Sequence, residues 1–249
     1  MGRVMLDLDS YLDSLRRSAG ALADAVSVAS AATPVPSCPE WELADLVRHL
    51  GTHHRWVLAN LDRSPEDGMA SFDGIEEPPA WSGAPEWIRA GVDVLAGRLA
   101  DIGPEAPCWT WEGSSVSGFW ARRTAHETEV HGWDGTNAAR SPLSIDPVLA
   151  SDGIDEWLSL AATIPRGLSG DGQTMHVHCT DVEGEWVVRL NADGLDVARE
   201  HARADVAVRG PAEDLLLVLT RRLDAESAPA IELIGDESVF QLWYDGAKF

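Results

Sequence analysis

The stretch RRTAHETEVHGWDG, residues 122–135, concentrates two histidines, two glutamates and an aspartate in one short segment. It approaches the zinc-protease motif H-E-x-x-H, in which two histidines four residues apart bind a metal ion from one helical face. Val130 occupies the second histidine position of that motif, so His126 does not belong to it. Because a helix turns about 100° per residue, Glu127 and His131 share a face. The stretch therefore predicts two ligands of a metal site, and a third must come from elsewhere.

An earlier helical segment, VRHLGTHHRW at residues 47–56, offers the third ligand. His49 and His53 are four residues apart and share a face, whereas His54 does not share it with His49. His49 falls within an apolar stripe of leucine and valine side chains, which predicts a position facing inward or near the boundary of the core.

A bundle core lined by His49, Glu127 and His131 would present two imidazoles and one carboxylate. Zinc accepts these ligands and, with three of them, keeps a coordination position open for water or substrate. Ferrous iron or nickel fits the same ligand types. The sequence also allows simpler interpretations, namely a solvated Glu–His pair and a hydrogen-bonded histidine at the edge of the core.

Residues 1–140 are predicted to form a four-helix bundle. Apolar side chains recur at helical spacing in four segments, and loops containing proline, glycine or serine separate them. The four segments cover residues 6–27, 41–61, 86–102 and 116–138. Four helices joined by one short and two longer connections are typical of such a bundle.

Residues 147–249 are predicted to form a small α+β domain after the linker ARSPLSIDP at 139–147. One helix is expected at 148–165, after which the apolar period shortens toward two, as in strands. The predicted strands lie within residues 174–181, 184–199, 204–210 and 230–236, and further helices within 211–223 and 237–246. The helix at 211–223 is expected to carry acidic residues in its first turn and arginines in its last.

Charge and composition exclude several classes of function. The chain has 41 acidic and 19 basic residues and a net charge of −22, which disfavours nucleic acids and anionic membrane surfaces as partners. The sequence contains no run of about 18 apolar residues, so no membrane span is predicted. The acidic N-terminus is unlike a signal peptide. Three scattered cysteines predict neither a disulfide framework nor a zinc ribbon. These features predict a cytoplasmic protein.

Two segments, CPEWELADLVRHLGTHHRW at 38–56 and FWARRTAHETEVHGWD at 119–134, resemble the mycothiol-dependent maleylpyruvate isomerase family. That family's pattern is a tryptophan, here Trp41, followed by a histidine-bearing helix and then a helix of the form RR-x-AHE-x-x-x-H-x-WD. The segments MHVHCTDVEGEWVVRL, ADVAVRGPAEDLLLVLTRRL and IELIGDESVFQLW resemble its sterol-carrier-like C-terminal domain.

The resemblance implies a DinB-like metal-binding bundle in which a divalent metal, usually zinc, is held by His49, Glu127 and His131. Mycothiol would bind through its thiol at the open metal position, where coordination deprotonates a thiol. The thiolate would then act on a small electrophile by isomerisation or by S-transfer. The implied catalytic arginine is Arg222, with Arg221 second, although an arginine after a helix also satisfies carbonyls there. A monomer or small homo-oligomer is expected.

The resemblance also suggests supporting roles for Asp134 beside His131 and for Arg123 beside Glu127, with ordinary surface pairs as the favoured interpretation. Three other functions stay open. They are a metal-dependent hydrolase on the same bundle, a protein that binds metal and an apolar ligand without catalysis, and a structural protein without metal.

Overall fold

The computed structural model describes residues 6–111, 115–163 and 168–246, and it divides into two compact units. One unit comprises residues 6–144, and the other contains residues 145–246. The predicted end of the fifth helix, at 164–165, and the outermost residues of both predicted domains lie outside the described ranges. In these ranges, no helix is long and apolar enough to cross a membrane.

The N-terminal unit is a four-helix bundle, as predicted from the sequence. Its helices α1 and α2 each pack against both α3 and α4. The helices are α1 (Leu8–Val28), α2 (Leu43–Leu61), α3 (Ala84–Ile102) and α4 (Ser117–Ala138). Leu15, Leu22 and Leu50 are fully buried between them, so the apolar stripes read from the sequence form one core.

Local signals fix where α2 begins and how closely it approaches α3. Glu42 and Asp45 form a capping box that satisfies backbone N–H groups at the start of α2. Gly51 lies two residues after His49, and a Cβ atom there would come within 1.9 Å of the Trp87 ring. A glycine is therefore needed where the α3 tryptophan packs against α2.

Helix α4 is unusual because it buries polar side chains as well as apolar ones. Glu129, at 1% exposure, accepts hydrogen bonds from the hydroxyls of Ser14 and Ser18 on α1. Arg17 adds an ion pair at 3.1 Å between its Nη2 atom and Glu129 Oε1. Burial of a carboxylate is tolerated only when such partners replace water. This network holds α4 against α1 in a fixed orientation.

The C-terminal unit is the predicted small α+β domain, built on a five-stranded sheet. Its strand order is β3-β2-β1-β4-β5, with β1 and β4 parallel and the other neighbours antiparallel. The strands are β1 (Gln173–Cys179), β2 (Glu185–Asn191), β3 (Gly194–Ala198), β4 (Val206–Gly210) and β5 (Glu232–Gly235). The helices are α5 (Pro147–Thr163), α6 (Ala212–Leu219) and α7 (Glu237–Gly246).

Strand β1 presents different chemistry on its two faces. Met175 and Val177 are fully buried in the core of the unit. His176 and His178 alternate with them and therefore share the opposite face of the sheet. Two imidazoles thus lie side by side on β1.

The sequence-based prediction that α6 carries arginines in its last turn is wrong. The helix ends at Leu219, and Arg221 has a φ of 63°, in the left-handed region. Backbone N–H groups of Arg221 and Arg222 donate to the carbonyls of Val218 and Leu217, at 3.0 and 2.7 Å. This cap closes the helix before the arginines, so both lie beyond it.

Candidate metal centre

The three side chains predicted as metal ligands lie together between α2 and α4. His49 Nε2 is 3.0 Å from Glu127 Oε1, and His131 Nε2 is 3.4 Å from the same oxygen. The two ring nitrogens and the carboxylate oxygen all lie within 4.8 Å of one another. His131 is buried, Glu127 is one-fifth exposed, and the His49 side chain is 39% exposed, so the group is open to solvent on the α2 side. Metal binding by these residues stays a prediction.

The other nitrogen of His131 is held by a buried carboxylate. Asp134 Oδ2 lies 2.8 Å from His131 Nδ1, and Asp134 Oδ1 accepts a 2.5 Å hydrogen bond from the Ser37 hydroxyl. Asp134 is fully buried, so the prediction of an ordinary surface pair is wrong. A carboxylate bonded to Nδ1 orients the ring and leaves Nε2 available as a ligand.

Glu127 is oriented in a similar way by Arg123, one helical turn earlier. The guanidinium Nη2 atom contacts Glu127 Oε2, and the two side chains are only 11% and 20% exposed. A surface pair, the favoured interpretation from sequence, is therefore wrong here as well. With Oε2 taken up by Arg123, the remaining oxygen, Oε1, faces the two imidazoles.

The electrostatics of the group favour an additional positive charge. Burial would raise the pKa of Glu127, but Arg123 and the imidazoles of His131 and His49 hold that pKa well below its usual value. Burial would lower the pKa of His131, but Asp134 and Glu127 outweigh it and raise the pKa to about 9. The two carboxylates thus favour a proton on His131, and a divalent cation could replace that proton. Two imidazole nitrogens and one carboxylate oxygen are a donor set that zinc accepts.

Aromatic and neutral side chains surround this group. The Trp41 ring lies 5.0 Å from the His49 ring and stacks on the His131 ring at 5.9 Å, measured between ring centroids. His53, one turn after His49, has a buried Nε2 atom with no hydrogen-bond partner among the described residues. Burial lowers the pKa of His53 to about 4, so this imidazole is neutral at pH 7. His126, predicted to be off the metal, is buried with its ring edge-on to Tyr11 at 6.0 Å.

Cys38 was not selected from the sequence, yet its Sγ atom lies 3.9 Å from Asp134 Oδ2. Cys38, His131 and Asp134 also have ligand atoms within 4.8 Å of one another. In that grouping Asp134 already accepts hydrogen bonds from Ser37 and pairs with His131, so its oxygens are engaged. A metal ion therefore fits better between His131 and Glu127 than between His131 and Cys38.

The cysteines should differ in reactivity. Cys108 and Cys179 are buried, and burial raises the pKa of their thiols to about 11 and about 12. At pH 8 we expect roughly 100-fold less thiolate on Cys108 and roughly 1,000-fold less on Cys179 than on an ordinary cysteine. Both should react slowly, because the thiolate is the reactive form. A thiol-specific label should modify only half-buried Cys38 in the folded protein and all three cysteines after unfolding. Rapid labelling of three thiols in the folded state would contradict this assignment.

Replacing Asp134 with asparagine should weaken the binding of Zn²⁺ or Co²⁺ by about 10- to 100-fold, as is usual when the hydrogen-bond partner of a ligand histidine is changed. An amide is a poorer acceptor for His131 Nδ1–H and leaves that ring less basic. The matched control is Asp24→Asn, the same change at an exposed carboxylate on α1. Competition titration against a chelator of known affinity gives both values, and equal affinities in the two variants would exclude the supporting role of Asp134.

Two family descriptions match the chain in sequence. The first, the mycothiol maleylpyruvate isomerase N-terminal domain, matches residues 12–134. The second, the corresponding C-terminal domain, matches residues 149–242. The chain belongs to the mycothiol-dependent maleylpyruvate isomerase family. It is therefore a member of an enzyme family named for a thiol-dependent isomerase, as the sequence motifs predict.

One solved structure that covers nearly the whole chain agrees with this fold. A crystal structure of a histidine-to-alanine mutant of the mycothiol-dependent maleylpyruvate isomerase matches with a TM-score of 0.54 and 12% identity, over 92% of this chain and 93% of that chain. A ubiquinone synthesis protein described as UbiJ-SCP2 matches over 40% of this chain and 94% of its own, with 21% identity and a TM-score of 0.32. No curated protein sequence matches the chain.

Arg222, the predicted catalytic arginine, lies in the C-terminal unit just after α6. Its Nη1 atom donates a 2.7 Å hydrogen bond to the Thr220 carbonyl, which is the carbonyl-satisfying role considered from the sequence. Arg221 instead lies over the Tyr244 ring, with its guanidinium carbon 4.8 Å from the ring centroid. The two arginines thus have different surroundings, and a catalytic role for Arg222 stays a prediction.

Proposed function

We propose that the chain is a mycothiol-dependent isomerase that requires a divalent metal ion, with Zn²⁺ as the best match, held by His49, Glu127 and His131. The observation that carries this proposal is the convergence of two imidazole Nε2 atoms on one oxygen of Glu127. Family membership supports the use of mycothiol as the thiol and a small molecule as the substrate.

The surrounding residues support this ligand set by positioning it. Asp134 fixes the ring of His131 with Nε2 directed toward Glu127, and Arg123 turns Glu127 so that Oε1 faces the histidines. Trp41 stacks on His131 and covers part of the group with an apolar ring. Ligands held in this way need little rearrangement when a metal binds, which favours high affinity.

His49, Glu127 and His131 would hold the ion and leave one coordination position open for a thiol. The ion would favour the thiolate form near neutral pH, with the thiol proton released to solvent. The mycothiol thiolate would form a C–S bond with the β-carbon of an activated cis double bond, and the displaced electron pair would move onto the conjugated carbonyl. Rotation about the new single bond follows. The electron pair then returns to re-form the double bond in the trans geometry, the C–S bond breaks, and the thiolate is regenerated. No oxidant or reductant is needed.

For the C-terminal unit we propose that Arg222 binds the negative charge of the substrate or of the developing enolate. Replacing it with methionine, which keeps an unbranched apolar stem but removes the guanidinium and its charge, should lower kcat/KM by about 10²- to 10³-fold, the usual effect of losing one donor to a developing anion. Arg221→Met is the matched control and should lose less than about threefold. Steady-state kinetics of both variants decide the assignment, which fails if Arg221→Met is the more damaged variant.

The function is tested by incubating the tag-free, zinc-loaded protein with mycothiol and maleylpyruvate, and with other cis α,β-unsaturated carbonyl compounds. We expect the trans isomer to form without net consumption of thiol, and both chelation and omission of mycothiol should stop the reaction. Cys38→Ser should keep the activity, because the reacting thiol comes from mycothiol.

The other outcomes of this assay separate the remaining candidates. Stoichiometric loss of thiol into a stable adduct would identify an S-transferase, and a hydrolysed product formed without thiol would identify a metal-dependent hydrolase. Turnover that survives complete removal of metal would contradict the proposal.

A further inference from the structure

A second group of metal-ligand side chains lies on the sheet of the C-terminal unit, and the function proposed above does not use it. It consists of His176 and His178 on β1, Glu185 on β2 and His201 in the loop that follows β3. One ligand atom from each of the four residues lies within 4.8 Å of the other three. Three imidazoles and a carboxylate therefore meet in one place.

Strand register brings these residues together. His178 and Glu185 are directly opposite each other in the antiparallel β1–β2 pair, and His176 lies two residues away on the same face. The Glu185 carboxylate is at the centre of the group. Its Oε1 atom is 2.7 Å from His178 Nδ1, and its Oε2 atom is 2.7 Å from His201 Nδ1.

An unsatisfied buried nitrogen indicates that a partner is missing from this group. His176 is only 7% exposed, and its Nε2 atom is buried without a hydrogen bond among the described residues. That nitrogen lies 3.6 Å from Glu185 Oε2, beyond hydrogen-bond distance. Buried polar atoms nearly always have partners, and a buried nitrogen left without one is costly. A metal ion bound among the four side chains would supply that partner.

We propose that His176, His178, Glu185 and His201 bind a divalent transition metal ion of the zinc type. Three nitrogen donors and one oxygen donor match the ligand preference of Zn²⁺, and four protein ligands are the number found in structural zinc sites. Co²⁺ and Ni²⁺ accept the same donors and serve as probes. All four residues belong to the C-terminal unit, so this site is independent of the trio on α2 and α4.

The position of the group suggests what the ion would do. Its ligands come from two neighbouring strands and from a loop, and His201 is 78% exposed, which gives a metal a direct path of entry. Glu185 and His201 also line a cavity of about 490 Å³, together with Arg199, Ser151 and Asp152. A bound ion would fasten the loop after β3 to the sheet and hold one wall of that cavity in place.

Metal stoichiometry of the full-length, tag-free protein tests the site. The metal-free protein is titrated with Co²⁺ and Zn²⁺, and bound metal is counted after gel filtration. We expect two equivalents for the wild type, one for His49→Ala, one for His201→Ala, and none for the double variant. Thermal melting of the His49→Ala variant should shift upward when Zn²⁺ is added, because an ion that binds only the folded state stabilises it.

Matched variants distinguish specific loss of the metal site from a general loss of structure. Glu185→Gln should remove one equivalent, whereas Glu232→Gln, the same change on β5 of the same sheet, should remove none. His201 is exposed, so its replacement tests the site even if changes at buried His176 disturb folding. The proposal is overturned if His49→Ala binds no metal, or if His201→Ala and Glu185→Gln both bind as many equivalents as the wild type.

Discussion

Replacing Glu127 with glutamine is expected to abolish the thiol-dependent reaction, lowering kcat/KM by at least about 10³-fold. The change keeps the size of the side chain but removes the charge that both imidazoles and Arg123 face. A metal ion typically supplies several kcal/mol of transition-state stabilisation, and each 1.36 kcal/mol is a factor of ten in rate. Steady-state kinetics on zinc-loaded protein, with mycothiol held at a fixed concentration, measure the loss.

The control for this variant is Glu86→Gln, which removes an exposed carboxylate from the first turn of α3. It should keep the activity of the wild type. Glu127→Gln should also bind one metal equivalent less than the control while melting as a single cooperative unit. If Glu127→Gln retains both its metal and its turnover, Glu127 is not a ligand and the assignment of the trio is wrong.

Replacing Glu129 with alanine is expected to destabilise the protein by about 2–4 kcal/mol, because the buried hydroxyls that bond to it lose their acceptor at about 1–3 kcal/mol each. Its carboxylate is 1% exposed and bonds to Ser14 and Ser18, with Arg17 as its counter-ion. Removal leaves two hydroxyls without an acceptor, whereas the half-exposed guanidinium of Arg17 can be solvated. The free energy of unfolding is measured by urea denaturation monitored by circular dichroism.

Glu105→Ala, at an exposed position between α3 and α4, is the reference for this experiment and should change stability by less than about 0.5 kcal/mol. Metal binding to Glu129→Ala, measured where the variant is still folded, should stay close to that of the wild type. A loss of less than about 1 kcal/mol for Glu129→Ala would show that the network on α1 contributes no more than an ordinary surface pair.

Helical spacing alone selected Glu127 and His131 as a pair, and the structure brings both to one place with His49. The spacing could not show what Glu129 does two residues later, because its partners lie on α1, more than a hundred residues earlier in the chain. A buried carboxylate looks the same as a solvated one in a sequence. Only the packing of α1 against α4 distinguishes the two.

The same limit explains why Asp134 and Arg123 were expected at the surface. Periodicity assigns polar residues to the solvent face of a helix, yet α4 packs against α1 and α2 and buries polar side chains on more than one side. The family pattern indicates Trp41 through its spacing from His49, whereas no sequence signal places Cys38 near the candidate metal site. Both lie in a loop, where no periodic signal reports which way a side chain points.

In the second half of the chain, alternation predicted the strands but not the chemistry on them. The segment MHVHC reads as a strand with two histidines on one face, and β1 has that form. Glu185 joins those histidines through the register between β1 and β2, and His201 joins them from a loop. Register and loop conformation depend on tertiary structure, so the cluster could not be assembled from sequence.

His49, Glu127 and His131 are proposed to hold a metal ion that binds the thiol of mycothiol. The most direct test of this proposal is to record the absorption spectrum of the Co²⁺-loaded His201→Ala variant before and after addition of mycothiol. The C-terminal cluster does not contribute to the spectrum of this variant. We predict that mycothiol produces a new sulfur-to-cobalt charge-transfer band. The band should be absent from the double variant that carries both His201→Ala and Glu127→Gln. A spectrum that mycothiol leaves unchanged, or a band that persists with Glu127→Gln, would contradict the claim.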